Sequence, residues 1–165
     1  MEQKEVFLHA TQEDAEQILR LYRSLVGTEC CTWTEDYPTE REVSYDLSRN
    51  ALFCLKNQET GNLMGVISID EDANVEVMDC WSEALKPSRE LSRVAVVPEY
   101  QNHGVAGRLM TYAIEELKKQ GNKGVHLLVS KTNEKALRAY GKLDFANVGE
   151  CQLYGCDFWC YERKL

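Results

Sequence analysis

The sequence lacks the features that would indicate a membrane or a polyanion as a partner. It has no apolar run that approaches the length needed to cross a bilayer, and residues 1–7 contain no apolar stretch of the kind found in signal peptides. Basic residues are also few, because 19 lysines and arginines stand against 27 aspartates and glutamates, for a net charge of −8. This charge repels nucleic acids and anionic lipids. We therefore expect no nucleic acid and no membrane as a partner.

Metal-binding and nucleotide-binding patterns are absent as well. The seven cysteines are odd in number and include no C-x-x-C pair, and no spacing of cysteine or histidine matches a zinc site. We expect no metal, free thiols and hence a reducing, cytoplasmic location. The sequence also contains neither the P-loop motif nor the G-x-G-x-x-G motif of dinucleotide-binding proteins.

What the sequence does contain is a series of helical and strand patterns along all 165 residues. Apolar residues recur every three or four positions over 15–25 and 105–117, which predicts two amphipathic helices. Shorter helices are predicted over 40–47 and 133–142, and strands over 6–8, 51–55, 63–69, 90–97, 124–130, 145–150 and 158–163, while 70–87 shows no clear pattern. This order predicts an α/β (or α+β) fold in a single domain over residues 1–165, with a mixed sheet and helices on both faces.

The segment YQNHGVAGRL, residues 100–109, places two glycines between a strand and a helix. A helix that begins near Gly104 leaves several backbone N–H groups without internal partners, and its dipole favours an anion at that end. Gly104 and Gly107 would let a phosphate approach these amides. A plain tight turn is the alternative interpretation of this segment on its own.

Residues 94–107 resemble the acetyl-CoA signature of the GNAT superfamily of N-acetyltransferases, whose core Q/R-x-x-G-x-G/A here reads Gln101-x-x-Gly104-x-Ala106. Residues 133–145 are similar to the second signature of that superfamily, N-x-x-A-x-x-x-Y-x-x-x-G-F, with Asp144 at the usual glycine position. The resemblance implies the GNAT fold, a mixed and mostly antiparallel central sheet flanked by helices on both faces. It also implies acetyl-CoA as the co-substrate.

The resemblance further implies roles for particular residues. Asn133 would bind the cofactor arm, and Tyr140 would be the general acid for the departing thiolate. A core aromatic is the alternative for Tyr140. The other cofactor contacts would come from the backbone, along the pantetheine arm from Val94, Ala95 and Val96, and around the pyrophosphate from Asn102, His103, Gly104, Val105, Ala106 and Gly107.

Transfer to an amine also requires a base, because an amine such as that of lysine is protonated at pH 7. Glu90 occupies the place that matches the glutamate base of histone-acetylating members, and we predict it as the base, directly or through water. The period of two along a strand would put Glu90, Ser92, Val94 and Val96 on one face. A solvated carboxylate at the strand end is the alternative.

The loop between the first two helices commonly covers the acceptor in GNAT proteins. Trp33 and Tyr37, with Glu35 and Asp36, are therefore candidate substrate contacts, since aromatic rings beside carboxylates suit an ammonium group. The alternative is that Trp33 and Tyr37 only seal the core. Asp79 and Trp81 are further candidates before the Glu90 strand.

Together these residues predict an acetyl-CoA-dependent N-acetyltransferase that transfers the acetyl group directly to a primary amine of a small molecule or peptide. The alternative is a non-catalytic acyl-CoA sensor, or an interaction module, on the same fold. A homodimer is a further expectation, because members of the superfamily often dimerise. The sequence leaves the identity of the amine open.

Overall fold

The computed structural model describes residues 4–165. The strands are β1 (Glu5–His9), β2 (Leu52–Asn57), β3 (Leu63–Asp70), β4 (Ser88–Val96), β5 (Gly124–Ser130), β6 (Ala146–Leu153) and β7 (Cys156–Lys164). The α-helices are α1 (Ala15–Leu25), α2 (Glu40–Ser48), α3 (Ala73–Glu76), α4 (Val105–Lys119) and α5 (Glu134–Gly141). Over the described range, no helix combines the length and the apolarity that a membrane crossing requires.

The seven strands form one sheet in the order β1-β2-β3-β4-β5-β7-β6. Neighbouring strands run antiparallel except β4 and β5, which run parallel and pair only from Ser88 with Gly124 to Glu90 with His126. This confirms the predicted mixed, mostly antiparallel sheet. Because β4 continues to Val96 and β5 to Ser130, the two strands separate beyond their short paired region.

Helices cover both faces of the sheet, as predicted. The helix α4 lies on one face because its buried side chains recur at three- and four-residue intervals, at Val105, Leu109, Met110, Ala113, Ile114 and Leu117. These side chains pack against apolar residues of the central strands such as Ile67 and Val125. The opposite face is covered by α1 and α2, whose Ile18, Tyr22 and Val43 pack against Val66 and Ala95.

The structure differs from the predicted elements in two places. Residues 70–87 contain the single-turn helix α3, which is too short to produce a periodic pattern in the sequence. The last two strands are longer than predicted and form a hairpin closed by Tyr154 and Gly155, whose φ angles are 55° and 76°. Two such left-handed residues fit a type I′ turn, but tyrosine is not a residue that signals one.

Candidate active site

A cavity of about 1680 Å³ lies where β4 and β5 separate. Its walls come from the segment between α1 and α2, from the start of α4, from α5 and from the β6–β7 turn. The cavity therefore brings together residues that are far apart in the sequence. Most of the predicted site residues lie on it, namely Trp33, Tyr37, Glu90, Val94, Val96, Asn102, Gly104, Val105, Ala106, Gly107, Asn133 and Tyr140.

The start of α4 presents free backbone N–H groups to this cavity. Gly104 caps the helix in the left-handed region, with φ of 75°, which glycine adopts without steric cost. The first bond of the helix runs from Arg108 N to Gly104 O at 3.1 Å, and within residues 4–165 no amide from Asn102 to Gly107 donates a short, well-aligned hydrogen bond. These amides can therefore bind an anion at the positive end of the helix dipole.

Arg108 fixes the shape of this turn. Its guanidinium donates to the His103 carbonyl at 2.7 Å and to the carboxylate of Glu5 at 3.0 Å. The exposed His103 and the buried Ala95 are the two predicted cofactor residues that do not line the cavity. Ala95 packs its side chain beneath α1, so that only its backbone remains for a contact of the kind predicted.

The helix α5 carries the residues of the second signature. The Asn133 side-chain oxygen accepts from Ala136 N at 3.1 Å and so caps the helix, which leaves its amide NH₂ free to donate. Burial raises the pKa of the Tyr140 hydroxyl to about 12, so Tyr140 stays protonated at neutral pH. Both residues lie on the cavity wall.

The helix α5 also carries a basic face that was not predicted from the sequence. Lys135, Arg138 and Lys142 are exposed and line the same cavity. Their i, i+3, i+7 spacing places them along one face of the helix, and this pattern is the signal that could have identified them. They add positive charge near the free amides of α4.

Glu90 is a buried carboxyl group without a hydrogen-bond partner. The residue is 5% exposed, and its Oε1 contacts no donor in the part of the chain that the structure describes. Burial, followed by the nearby charges of Asp70 and Asp72, raises the pKa of Glu90 to about 9. Glu90 is therefore not the solvated carboxylate of the alternative interpretation, and it lies on the cavity wall.

The prediction that Glu90, Ser92, Val94 and Val96 share one face is wrong. Ser68 pairs with Ser92 but Val66 pairs with Ala95, so β4 contains one extra residue, a bulge at Arg93, where φ is 47°. Beyond the bulge, Val94 and Val96 pack with the α4 core, whereas Ser92 lies opposite Ser68 on the α2 side. Glu90 and the valines thus reach the cavity from opposite faces of the sheet.

The bulge directs Arg93 into a buried ionic network that the sequence analysis also missed. Its guanidinium donates to Asp46 at 2.9 Å, to Asp70 at 3.0 Å and to the Tyr37 hydroxyl at 2.9 Å. Asp46 is fully buried and also binds Arg49 at 2.7 Å. The network fixes the predicted substrate residue Tyr37 above the sheet. An arginine inside the apolar run of β4 was the available signal.

The other acceptor candidates divide into two groups. Trp33 packs edge-on against Tyr22, with ring centroids 5.3 Å apart, and also lines the cavity, so it both seals the core and faces the site. Glu35, Asp36, Asp79 and Trp81 do not line the cavity. Trp81 instead is buried against His126, with ring centroids 4.6 Å apart.

Comparison with known proteins identifies the family of the chain. Residues 5–145 match the Acetyltransferase (GNAT) family. The chain belongs to this family. As a GNAT protein it is an acetyltransferase, and it is 24% identical over 138 residues to a protein of Archaeoglobus fulgidus named "Uncharacterized N-acetyltransferase". That match covers 82% of this chain and 88% of the relative.

Solved structures show the same GNAT fold. The ribosomal-protein-S18-alanine N-acetyltransferase from Escherichia coli has a TM-score of 0.73 and 17% identity, over 98% of this chain and 94% of that chain. An acetyltransferase structure from Salmonella typhimurium, solved with its cofactor acetyl-CoA, has a TM-score of 0.74 and 17% identity over the same shares. At such low identity these similarities show the fold alone.

Proposed function

We propose that this chain transfers the acetyl group of acetyl-CoA directly to a primary amine of a small molecule or a peptide. The observation that supports this most strongly is that one cavity connects the free amides of Asn102–Gly107 with the unpartnered carboxyl of Glu90. An anion-binding helix start and a buried acid–base group are the two parts that this reaction needs.

The residues present fit acetyl-CoA. The amides of Asn102–Gly107 would hold its pyrophosphate, assisted by the basic face of α5, and the part of β4 beyond its pairing with β5 would bind the pantetheine arm. The NH₂ group of Asn133 would donate to the same arm. When bound, acetyl-CoA supplies a thioester carbonyl that an amine can attack.

Glu90 is suited to remove a proton from the incoming ammonium group. A lysine-like amine has a pKa of about 10.4, and the pKa of Glu90 is raised to about 9. At neutral pH the free protein holds Glu90 protonated, so Glu90 accepts this proton only in its ionised form, which a bound ammonium group favours by lowering the pKa of Glu90. Because the two pKa values are close, the transfer from the ammonium to ionised Glu90 has a small free-energy cost. The neutral amine then forms its N–C bond as the C–S bond breaks.

Tyr140 is suited to assist the departing sulfur. Its pKa of about 12 lies above that of a thiol, about 8.5. Tyr140 therefore acts as a hydrogen-bond donor to the sulfur. If Tyr140 passes its proton to the sulfur, it takes a proton from the nitrogen in return. The nitrogen loses two protons in all, one to Glu90 and one that the sulfur gains through Tyr140.

Release of free CoA thiol from acetyl-CoA in the presence of a panel of primary amines tests this proposal. We expect release that depends on both the amine and the protein. If CoA raises the melting temperature of the protein but no amine in the panel is acetylated, the chain binds CoA without this reaction, and the proposal is wrong.

A further inference from the structure

The cavity has two ends of opposite charge. All six of its acidic residues come from the α1–α2 segment, from α2 and from the region of β3, α3 and early β4, namely Glu29, Glu42, Asp70, Glu71, Asp72 and Glu90. Apart from the network residue Arg93, its basic residues in the described chain lie on α5 at the other end. The basic end suits the phosphates of CoA, so the acidic end is left for the acceptor.

Two of these six carboxylates form an ion pair within residues 4–165, and four, Glu29, Glu42, Asp72 and Glu90, do not. Asp70 is paired with Arg93 at 3.0 Å and Glu71 with Arg89 at 3.3 Å. Neither Asp72 nor Glu90 forms an ion pair with any residue from 4 to 165. Glu90 in addition has a buried oxygen without a donor, which a bound ammonium group would satisfy.

Tyr154 stands beside Asp72 at the cavity wall. Its hydroxyl donates to the Asp72 carboxylate at 2.7 Å and accepts from Asn74 at 3.1 Å, and the residue is 68% exposed. The left-handed φ of 55° is sterically unfavourable for tyrosine, and Asn or Gly would be favoured at this position. An exposed aromatic ring next to a carboxylate without a cation is a combination that binds organic cations.

From these contacts we infer that the acceptor carries two cationic groups. The reacting amine lies at Glu90, and the second cation lies between the Asp72 carboxylate and the Tyr154 ring. The inference rests on the proposed acetyl transfer and narrows its acceptor to short aliphatic diamines and polyamines. A peptide amino terminus beside a lysine side chain would present the same two charges.

The test compares kcat/KM for 1,4-diaminobutane and butylamine, with CoA thiol release as the readout. We expect the wild-type protein to prefer the diamine about tenfold, as the combined effect of one ion pair and one cation–π contact. Asp72→Asn, which retains an oxygen to cap α3, should abolish most of that preference. Glu71→Gln removes the same charge at the adjacent, already paired position and should keep the preference.

A second variant tests the ring. Tyr154→Asn suits the left-handed turn, so it should fold at least as stably as the wild type while it lowers the diamine preference. To distinguish a peptide from a free diamine as the source of the two charges, kcat/KM is also compared for a lysine-containing dipeptide and its norleucine analogue. A preference for the doubly charged acceptor in either pair, diamine over butylamine or lysine over norleucine, supports the inference. Equal kcat/KM values in both series, or an Asp72→Asn variant with unchanged preference, overturn it. If no amine releases thiol, the proposed function fails as well.

Discussion

The buried Glu90 predicts an unusual dependence of stability on pH. Its pKa is raised from 4.5 to about 9, chiefly by burial. Between these two values the folded chain holds a proton on Glu90 that the unfolded chain has released. The stability that this proton contributes is fully present below pH 4.5 and is lost as pH rises through about 9.

The size of the effect follows from the same linkage. Each pH unit inside that window lowers the free energy of unfolding by about 1.4 kcal/mol, or about 2.7 kcal/mol from pH 6 to pH 8. Glu90→Gln removes the titrating group, so the variant should become more stable relative to wild type by that amount over the same interval. Urea denaturation of both proteins at pH 6 and pH 8 measures the difference.

The contrary result is that the free energies of unfolding of wild type and Glu90→Gln change in parallel between the two pH values. Such a result would mean that Glu90 is solvated and ionised, and its role as a proton acceptor of matched pKa would lose its basis. Glu99→Gln, which removes a carboxylate from an exposed position, controls for the loss of one negative charge.

Three other substitutions test separate parts of the structure. Tyr140→Phe should lower kcat by about 10²- to 10⁴-fold, measured by CoA thiol release, with little change in CoA affinity. Gly107→Ala should stabilise α4 by up to about 1 kcal/mol, because a Cβ at this position meets no protein atom within 4 Å. The same substitution should weaken CoA binding, measured by calorimetry, because Gly107 lines the cavity. Gly141→Ala is the matched control and should leave CoA binding unchanged, because its Cβ is equally unobstructed but the residue does not line the cavity. Arg93→Met should lower the free energy of unfolding, measured by chemical denaturation, by about 3 kcal/mol. This value is at the lower end of the range for breaking a buried ion pair, because Asp46 keeps its contact with Arg49. A decrease below about 1 kcal/mol would contradict a stabilising role of the network.

The parts of the fold that local patterns determine could be predicted from the sequence. The helix α4 was predictable because its apolar stripe and the glycine segment before it are both local, and the free amides follow from where that helix begins. The bulge at Arg93 was not predictable, because an extra residue in a strand is defined only against the register of its partner. The period of two therefore failed for Glu90 and the valines after the bulge.

The proposed acceptor end of the cavity depends on contacts between residues that are distant in sequence. Tyr154 and Asp72 are 82 positions apart, and Arg93 lies 56 positions from Tyr37. No spacing rule connects such residues, and the unpartnered state of Glu90 becomes visible only when all its neighbours are known. Motifs thus indicated the residues of the proposed cofactor end of the cavity, whereas only the three-dimensional arrangement shows the charge of the proposed acceptor end.

The central claim is that free backbone amides at the start of α4 bind the pyrophosphate of CoA. Titration of ¹⁵N-labelled protein with CoA, followed by amide chemical shifts, tests it most directly. The largest shifts are predicted for Asn102 to Gly107, with smaller ones along β4 and the basic face of α5. If the amides of that turn do not move while CoA binds, the claim is contradicted.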